Sequence, residues 1–287
     1  MITLFPVTIL LSVLLYVILG VSMALDILHI IPLWVTVIVF IIVFVLQIGI
    51  VKLAGNMYFK TVERADTDLD GFIAEQEKLA LRAKRPNIRN IVESNIIAAL
   101  IMHERCGEAQ ERMKILGPQI PPNDFLGRLQ YVDFLLSIDM HKGNFSGVDY
   151  YLNEMRANLA QIDFSRPGLS EKSRQNLYLT VELYTVHAEF YSRPAERLAG
   201  EDRQITMNLI SVVREMEKSI YDLKLFRNHA DLSIWYDLGT AYTILGETEK
   251  AKQYFDLIVS KPFNYPQIDR VKEYLNTGDI NILMKYC

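Results

Sequence analysis

The stretch that decides the fold is residues 231–262, DLSIWYDLGTAYTILGETEKAKQYFDLIVSKP. Its large and small residues recur at helical spacing in two runs, which Gly246 and Glu247 separate. Gly239 allows a second helix to lie close, and the large residues fill the space between two antiparallel helices. The pattern therefore predicts a helical hairpin that turns at Gly246 and stops at Pro262. The spaced positions are Trp235, Leu238, Gly239, Tyr242, Gly246, Ala251 and Phe255.

This order of residues resembles the tetratricopeptide repeat, whose pattern is W-x2-L-G-x2-Y followed by a small residue, Ala, an aromatic residue and Pro. Including weaker copies, the resemblance covers about residues 93–262. It implies an all-α solenoid of about four helix pairs. Proteins of this family bind peptides or partner proteins in a concave groove that the first helix of each pair lines.

Two weaker copies precede the strong repeat, with turns predicted at Gly107 and Gly143. These glycines are 36 residues apart, and Gly143 lies 103 residues before Gly246, about three periods of 34. Between the copies, Ser170–Tyr191 and Glu201–Leu225 are amphipathic and predict an enlarged, degenerate helix pair. A capping helix is expected at about residues 267–275. Aligned with Gly246, the Gly143 copy brings Val132, Leu135, Leu136, Val148, Tyr151, Leu152 and Met155 into register.

The first 51 residues are strongly apolar. They contain no Lys or Arg and a single acidic residue, Asp26. Ile2–Leu25 and Ile30–Val51 are each long enough to cross a bilayer as a helix, with a short polar break between them. This pattern predicts a two-helix transmembrane hairpin. A cleaved signal peptide is not expected, because a second apolar run follows the first directly.

Basic residues follow the second apolar run, beginning with Lys52, Lys60 and Arg64, whereas the break between the runs has none. The positive-inside rule then places both ends of the hairpin and the rest of the chain in the cytoplasm. We expect an integral protein of the bacterial inner membrane with a cytoplasmic C-terminal domain.

Residues 66–77, DTDLDGFIAEQE, match the calcium-loop pattern D-x-D-x-D-G-x5-E. Leu69 and Lys78 depart from the usual EF-hand loop, and the sequence has no second loop of this kind. The alternative interpretation is an acidic turn in which one aspartate caps a helix over about Phe72–Arg85. Both interpretations stay open from the sequence. As a calcium loop, the ligands would be Asp66, Asp68, Asp70, the carbonyl of Phe72 and Glu77, with Gly71 in the turn.

Composition and motifs give no sign of catalysis or of nucleic-acid binding. Residues 52–287 hold 30 basic and 33 acidic residues, a net charge of −3, without the basic stripe that nucleic-acid binding requires. The two cysteines, Cys106 and Cys287, form no disulfide or metal pattern. Phosphate loops, nucleophile elbows and histidine metal motifs do not occur. We expect no enzyme activity, no cofactor and no metal ion, with calcium at residues 66–77 as the alternative.

These observations predict three parts: a transmembrane hairpin at 1–54, a juxtamembrane helical segment at 55–90, and a repeat domain at 91–287. The leading functional hypothesis is a membrane-anchored scaffold that binds a cytoplasmic protein or peptide in its solenoid groove. The alternatives are a calcium-responsive membrane protein and an accessory subunit of a transport or secretion complex that acts through the hairpin. The residues predicted to contact a partner lie beside the packing stripe of the first helices. They are Asp133, Ser137, Ser233, Tyr236 and Thr240.

Overall fold

The computed structural model describes residues 4–27, 33–83, 85–165, 171–219 and 226–286. Over these ranges the regular structure is entirely helical, as the sequence predicts, and no strand occurs. The chain forms two compact units, Met1–Val62 and Glu63–Cys287. The predicted domain boundaries at residues 54 and 90 stay predictions.

The first unit contains α1 (Leu4–Ile27) and most of α2 (Leu33–Glu63). The hydroxyl of Thr36 on α2 donates to the carbonyl of Ser22 on α1 at 3.4 Å. Within the described ranges, none of the helices meets both the length and the apolar character needed to cross a bilayer. The predicted break between the two apolar runs lies largely at residues 28–32, outside the described ranges.

The second unit is a succession of antiparallel helix pairs, which is a solenoid-like arrangement. Helices pair as α4 with α5, α6 with α7, α8 with α10, and α11 with α12, and each pair packs on the next. The helices are α3 (Leu69–Arg82), α4 (Pro86–Met102), α5 (Cys106–Leu116), α6 (Phe125–His141), α7 (Val148–Gln161), α8 (Glu171–Tyr191), α9 (Ala195–Ala199), α10 (Arg203–Ser219), α11 (Arg227–Ile244), α12 (Thr248–Val259) and α13 (Pro266–Thr277).

The hairpin predicted from residues 231–262 forms as α11 and α12. Gly246 makes the turn in the left-handed region, at φ +75°. Gly239 lies directly against the ring of Phe255, which is buried. The rings of Tyr242 and Tyr254 stack with centroids 6.0 Å apart. α12 ends at Val259, three residues before Pro262, so the proline is not what ends it.

The two weaker copies also form helix pairs, with one difference in a turn. Gly143 is left-handed at φ +71°, as expected for the turn between α6 and α7. Gly107 instead lies inside α5, and the left-handed residue between α4 and α5 is Glu104, at φ 58°. The predicted turn was therefore placed three residues too late, because glycine usually takes the left-handed position that Glu104 takes here.

The remaining predicted helices agree with the structure at their centres and differ at their ends. The degenerate pair forms as α8 and α10, with the short α9 between them; residues 170 and 220–225 lie outside the described ranges. The capping helix α13 begins at Pro266, a favourable first position for proline. α3 begins at Leu69, three residues earlier than predicted, because Asp68 caps it by accepting a hydrogen bond from the Gly71 N–H at 2.9 Å.

The beginning and the end of the second unit meet. The N–H of Asn264 donates to the carbonyl of Asp66 at 2.8 Å, and the hydroxyl of Tyr265 donates to the carboxylate of Asp66 at 2.5 Å. Arg270 on α13 pairs with Glu104 in the α4–α5 turn. The succession of helix pairs is therefore closed by contacts between its first and last elements.

Candidate partner-binding site

The residues predicted to line a groove lie on α6 and α11, the first helices of two pairs. Asp133 and Ser137 are one turn apart on α6, and Ser233, Tyr236 and Thr240 follow one side of α11. Side chains of α8 lie between these two rows and connect them. We use "the groove face" for the side of α6, α8 and α11 on which these rows lie.

Hydroxyl groups join α6 to α8. Oγ of Ser137 lies 2.7 Å from the hydroxyl oxygen of Tyr184. One turn further along α6, Nδ1 of His141 donates to the carbonyl of Ser137 at 2.7 Å. Burial lowers the pKa of His141 to about 4. The ring is therefore neutral at pH 7, with its proton on Nδ1.

A buried carboxylate joins α8 to α11. One oxygen of Asp237 lies 2.8 Å from Nε2 of His187, and the other accepts the hydroxyl of Tyr191 at 2.6 Å. A carboxylate only accepts hydrogen bonds, so the imidazole carries a proton on Nε2. All three side chains are buried. These two hydrogen bonds link the two helices, while Nδ1 of His187 is buried without a hydrogen-bond partner among the described residues.

The predicted contacts on α11 have little surface to offer. Tyr236 and Thr240 are fully buried, because α11 is enclosed on most of its sides. The hydroxyl of Tyr236 donates to the carbonyl of Leu283 at 3.0 Å. Oγ of Ser233 and Oγ1 of Thr240 are buried, and neither has a hydrogen-bond partner among the described residues. In this conformation, Tyr236 and Thr240 cannot touch a partner.

The groove face is covered by residues 279–286, which we term the tail. Leu283 is fully buried, and Tyr286 is 8% exposed. The Tyr286 ring contacts three rings of the groove face in edge-on geometry, with centroid distances of 4.9–5.6 Å. Those rings belong to His141, His187 and Tyr191.

Asp133 is a carboxyl group of the groove face whose ionisation is disfavoured. Its Oδ1 is buried without a hydrogen-bond partner in the described part of the chain. Burial raises the pKa of Asp133 to about 6, and hydrogen bonding by Tyr184 opposes this only in part. The same surroundings raise the pKa of Tyr184 well above its usual value. An ionised Asp133 is therefore costly at neutral pH.

Sequence reasoning missed the residues that hold the groove face together, namely Tyr184, His187, Tyr191, Asp237 and Tyr286. A local signal existed for three of them. Tyr184, His187 and Tyr191 are three and four residues apart and therefore share one side of α8. No local signal pointed to Tyr286, because its contacts lie far away along the chain.

The side chains proposed as calcium ligands form hydrogen bonds or ion pairs with other side chains. Asp66 is buried, Phe72 lies within α3, and no group of three or more acidic, His or Cys side chains in the described ranges could hold a metal ion. The hydrogen bond from the Gly71 N–H and the neighbouring Arg64 lower the pKa of Asp68. The bonded pairs are Asp66 with Asn228 and Tyr265, Asp68 with Arg64, Asp70 with Arg105, and Glu77 with Arg112.

A polar cleft of about 610 Å³ lies where the two ends of the second unit meet. Its walls are residues 67–70, the α4–α5 turn and the first two turns of α13. Much of the charge in the cleft is already compensated, because Arg105 pairs with Asp70 and Arg270 pairs with Glu104. The cleft therefore presents less free charge than its composition suggests.

Comparisons with known proteins leave the assignment to the geometry. The chain matches no family model, no curated protein and no solved structure. The resemblance to tetratricopeptide repeats therefore rests on the residues of 231–262 and their weaker copies.

Proposed function

We propose that the chain is a membrane-anchored, tetratricopeptide-like scaffold that binds a protein or peptide partner at the groove face. The observation that carries the proposal is the convergence of polar and aromatic side chains from the first helices of three successive pairs. Ser137 meets Tyr184, and His187 and Tyr191 meet Asp237. These groups are buried or partly buried in this conformation, under residues 279–286; once uncovered, the groove face would combine rings that give contact area with hydroxyl and imidazole groups that give direction.

The anchoring part of the proposal rests on the apolar surface of the first unit. Large aliphatic and aromatic side chains are exposed along α1 and α2 from Leu11 to Ile48. An exposed apolar surface of this extent needs lipid or another protein to cover it. Lys52 and Lys60 follow this surface, which supports a cytoplasmic second unit at a bacterial inner membrane.

The test is a crosslinking pull-down of the full chain from its own membranes, beside a variant that lacks residues 1–54. A discrete protein captured by both chains supports the scaffold, with the first unit as a tether. Capture only by the full chain favours the alternative, an accessory subunit that packs against a transport or secretion complex through α1 and α2. No reproducible partner with either chain contradicts the proposal.

A matched variant separates the groove face from the rest of the surface. Asp133→Asn alters the half-buried carboxylate beside Tyr184 and keeps its size, whereas Glu249→Gln alters an exposed carboxylate on α12, the second helix of a pair. We expect the first variant to change partner capture and the second to leave it unchanged. Equal effects of both would place the contact away from the groove face.

A further inference from the structure

The tail covers the groove face as a bound peptide would. It follows α13 at Gly278, a left-handed residue at φ +71° that reverses the chain. The next residues form a short 3₁₀ turn, Ile280–Ile282, whose backbone bonds are local. Beyond the turn, Leu283 and Tyr286 face inward, while Asn281 in the turn and Lys285 after it are exposed.

Side chains of the groove face hold the tail at two points. The Tyr236 hydroxyl binds the carbonyl of Leu283, which fixes the backbone at an aliphatic residue. Three residues later, the ring of Tyr286 enters a box of three rings, from one histidine of α6 and a histidine and a tyrosine of α8. A backbone hydrogen bond combined with pockets for spaced side chains is one way in which proteins recognise a peptide segment.

We propose that the tail is an intramolecular ligand of the groove face and that the partner displaces it. This proposal rests on the proposed function. The partner is then a protein whose binding segment carries an aliphatic residue followed, three residues later, by an aromatic residue. The two occupants compete for the same pockets, so the tail lowers the apparent affinity of the full chain for its partner.

The experiment uses the full chain in detergent, a variant that lacks residues 280–287, and a fluorescent peptide with the sequence of residues 279–286, DINILMKY. We expect saturable binding to the shortened chain and binding weaker by about tenfold or more to the full chain, because the tethered tail competes at high effective concentration. Peptides with the replacements corresponding to Leu283→Ala or Tyr286→Ala should lose binding. A peptide with Asn281→Ala should bind as the parent does.

A shortened chain with native circular dichroism that fails to bind the peptide overturns the proposal. If shortening unfolds the chain, hydrogen exchange of the full chain decides. A displaceable tail is supported if the amides of Leu283 and Met284 exchange about tenfold or more faster than the slowest amides of α11. Their exchange should be faster still when the peptide is added. Exchange of these amides only together with α11 makes the tail a permanent part of the core and refutes the proposal.

The pull-down separates this proposal from the proposed function. A partner that is still captured, together with a peptide that does not bind the shortened chain, refutes the tail as ligand and leaves the scaffold intact. Loss of partner capture by every chain, including the full chain, refutes the scaffold itself.

Discussion

Replacing Gly239 by alanine tests whether the packing between α11 and α12 decides the fold. An added Cβ would lie 2.8 Å from Cδ1 of the Phe255 ring and nearer still to Cε1. Carbon atoms prefer separations of about 3.5–4.0 Å, so the ring or the helix must move by about 1 Å. The ring has little room, because Phe255 is buried and packs against Tyr274 with centroids 5.5 Å apart.

The expected magnitude follows from two opposing effects. Overpacking a core costs about 1–3 kcal/mol, and a clash with a rigid ring belongs at the upper end of that range. Alanine gains about 1 kcal/mol over glycine in a helix interior. We therefore expect Gly239→Ala to lower the free energy of unfolding by about 2 kcal/mol. Urea titration of the full chain in detergent, followed by circular dichroism, measures the change.

Two controls make the result specific. Gly107 also lies in a helix, but an added Cβ there meets no atom within 4 Å, so Gly107→Ala should be neutral or slightly stabilising. Phe255→Leu should remove most of the additional cost of Gly239→Ala in a double-mutant cycle. A Gly239→Ala chain as stable as the parent, or equal effects at both glycines, would refute the reasoning.

Three further predictions concern ionisable side chains at buried or partly buried positions. Asp66→Ala should lower the free energy of unfolding by about 3 kcal/mol, because it leaves the buried donors of its partners unpaired. The same change at the exposed Asp70 should lower it by less than about 1 kcal/mol. Equal losses in urea titration would contradict this. Burial lowers the pKa of His229 to about 3. The free energy of unfolding should therefore fall by about 3 kcal/mol between pH 6.5 and pH 4, because the unfolded chain binds the proton more readily than the folded one. His229→Gln should reduce this dependence on pH in unfolding experiments. Asp133 has the opposite effect, because its pKa is raised and the free energy of unfolding decreases as the pH rises through about 6. Asp133→Asn should therefore stabilise the chain by about 1–2 kcal/mol at pH 7 and not at pH 4, as thermal unfolding would measure.

Local sequence patterns predicted the helix pairs well because the contacts inside a pair are local. Gly239 and Phe255 are 16 residues apart, and the repeat pattern records both partners of their contact. The turn at Gly246 could also be predicted from the local sequence, since a left-handed residue favours glycine. At Glu104 the same conformation occurs without a glycine, and there the pattern misplaced the turn.

The candidate site was only partly predictable because long-range contacts shape it. Asp133 and Ser137 do lie on the expected side of α6, next to Tyr184. Tyr236 is buried and binds the carbonyl of Leu283, 47 residues away, and the periodicity of α11 gives no sign of a segment that covers it. The aspartates of residues 66–70 matched a calcium loop in letters, but their partners, such as Tyr265 at a separation of 199 residues, are invisible to a local motif.

The contact between Asp66 and Tyr265 also has a consequence for biosynthesis. A ribosome delivers Asp66 long before Tyr265, and synthesis proceeds at about 5–20 residues per second. At a separation of 199 residues, the Asp66 carboxylate waits on the order of 10–40 s before its buried partner exists. The helix pairs can form one after another during that interval, since their contacts are local. The second unit, however, cannot be completed before Tyr265 has been synthesised, and until then its first helices lack their final neighbours.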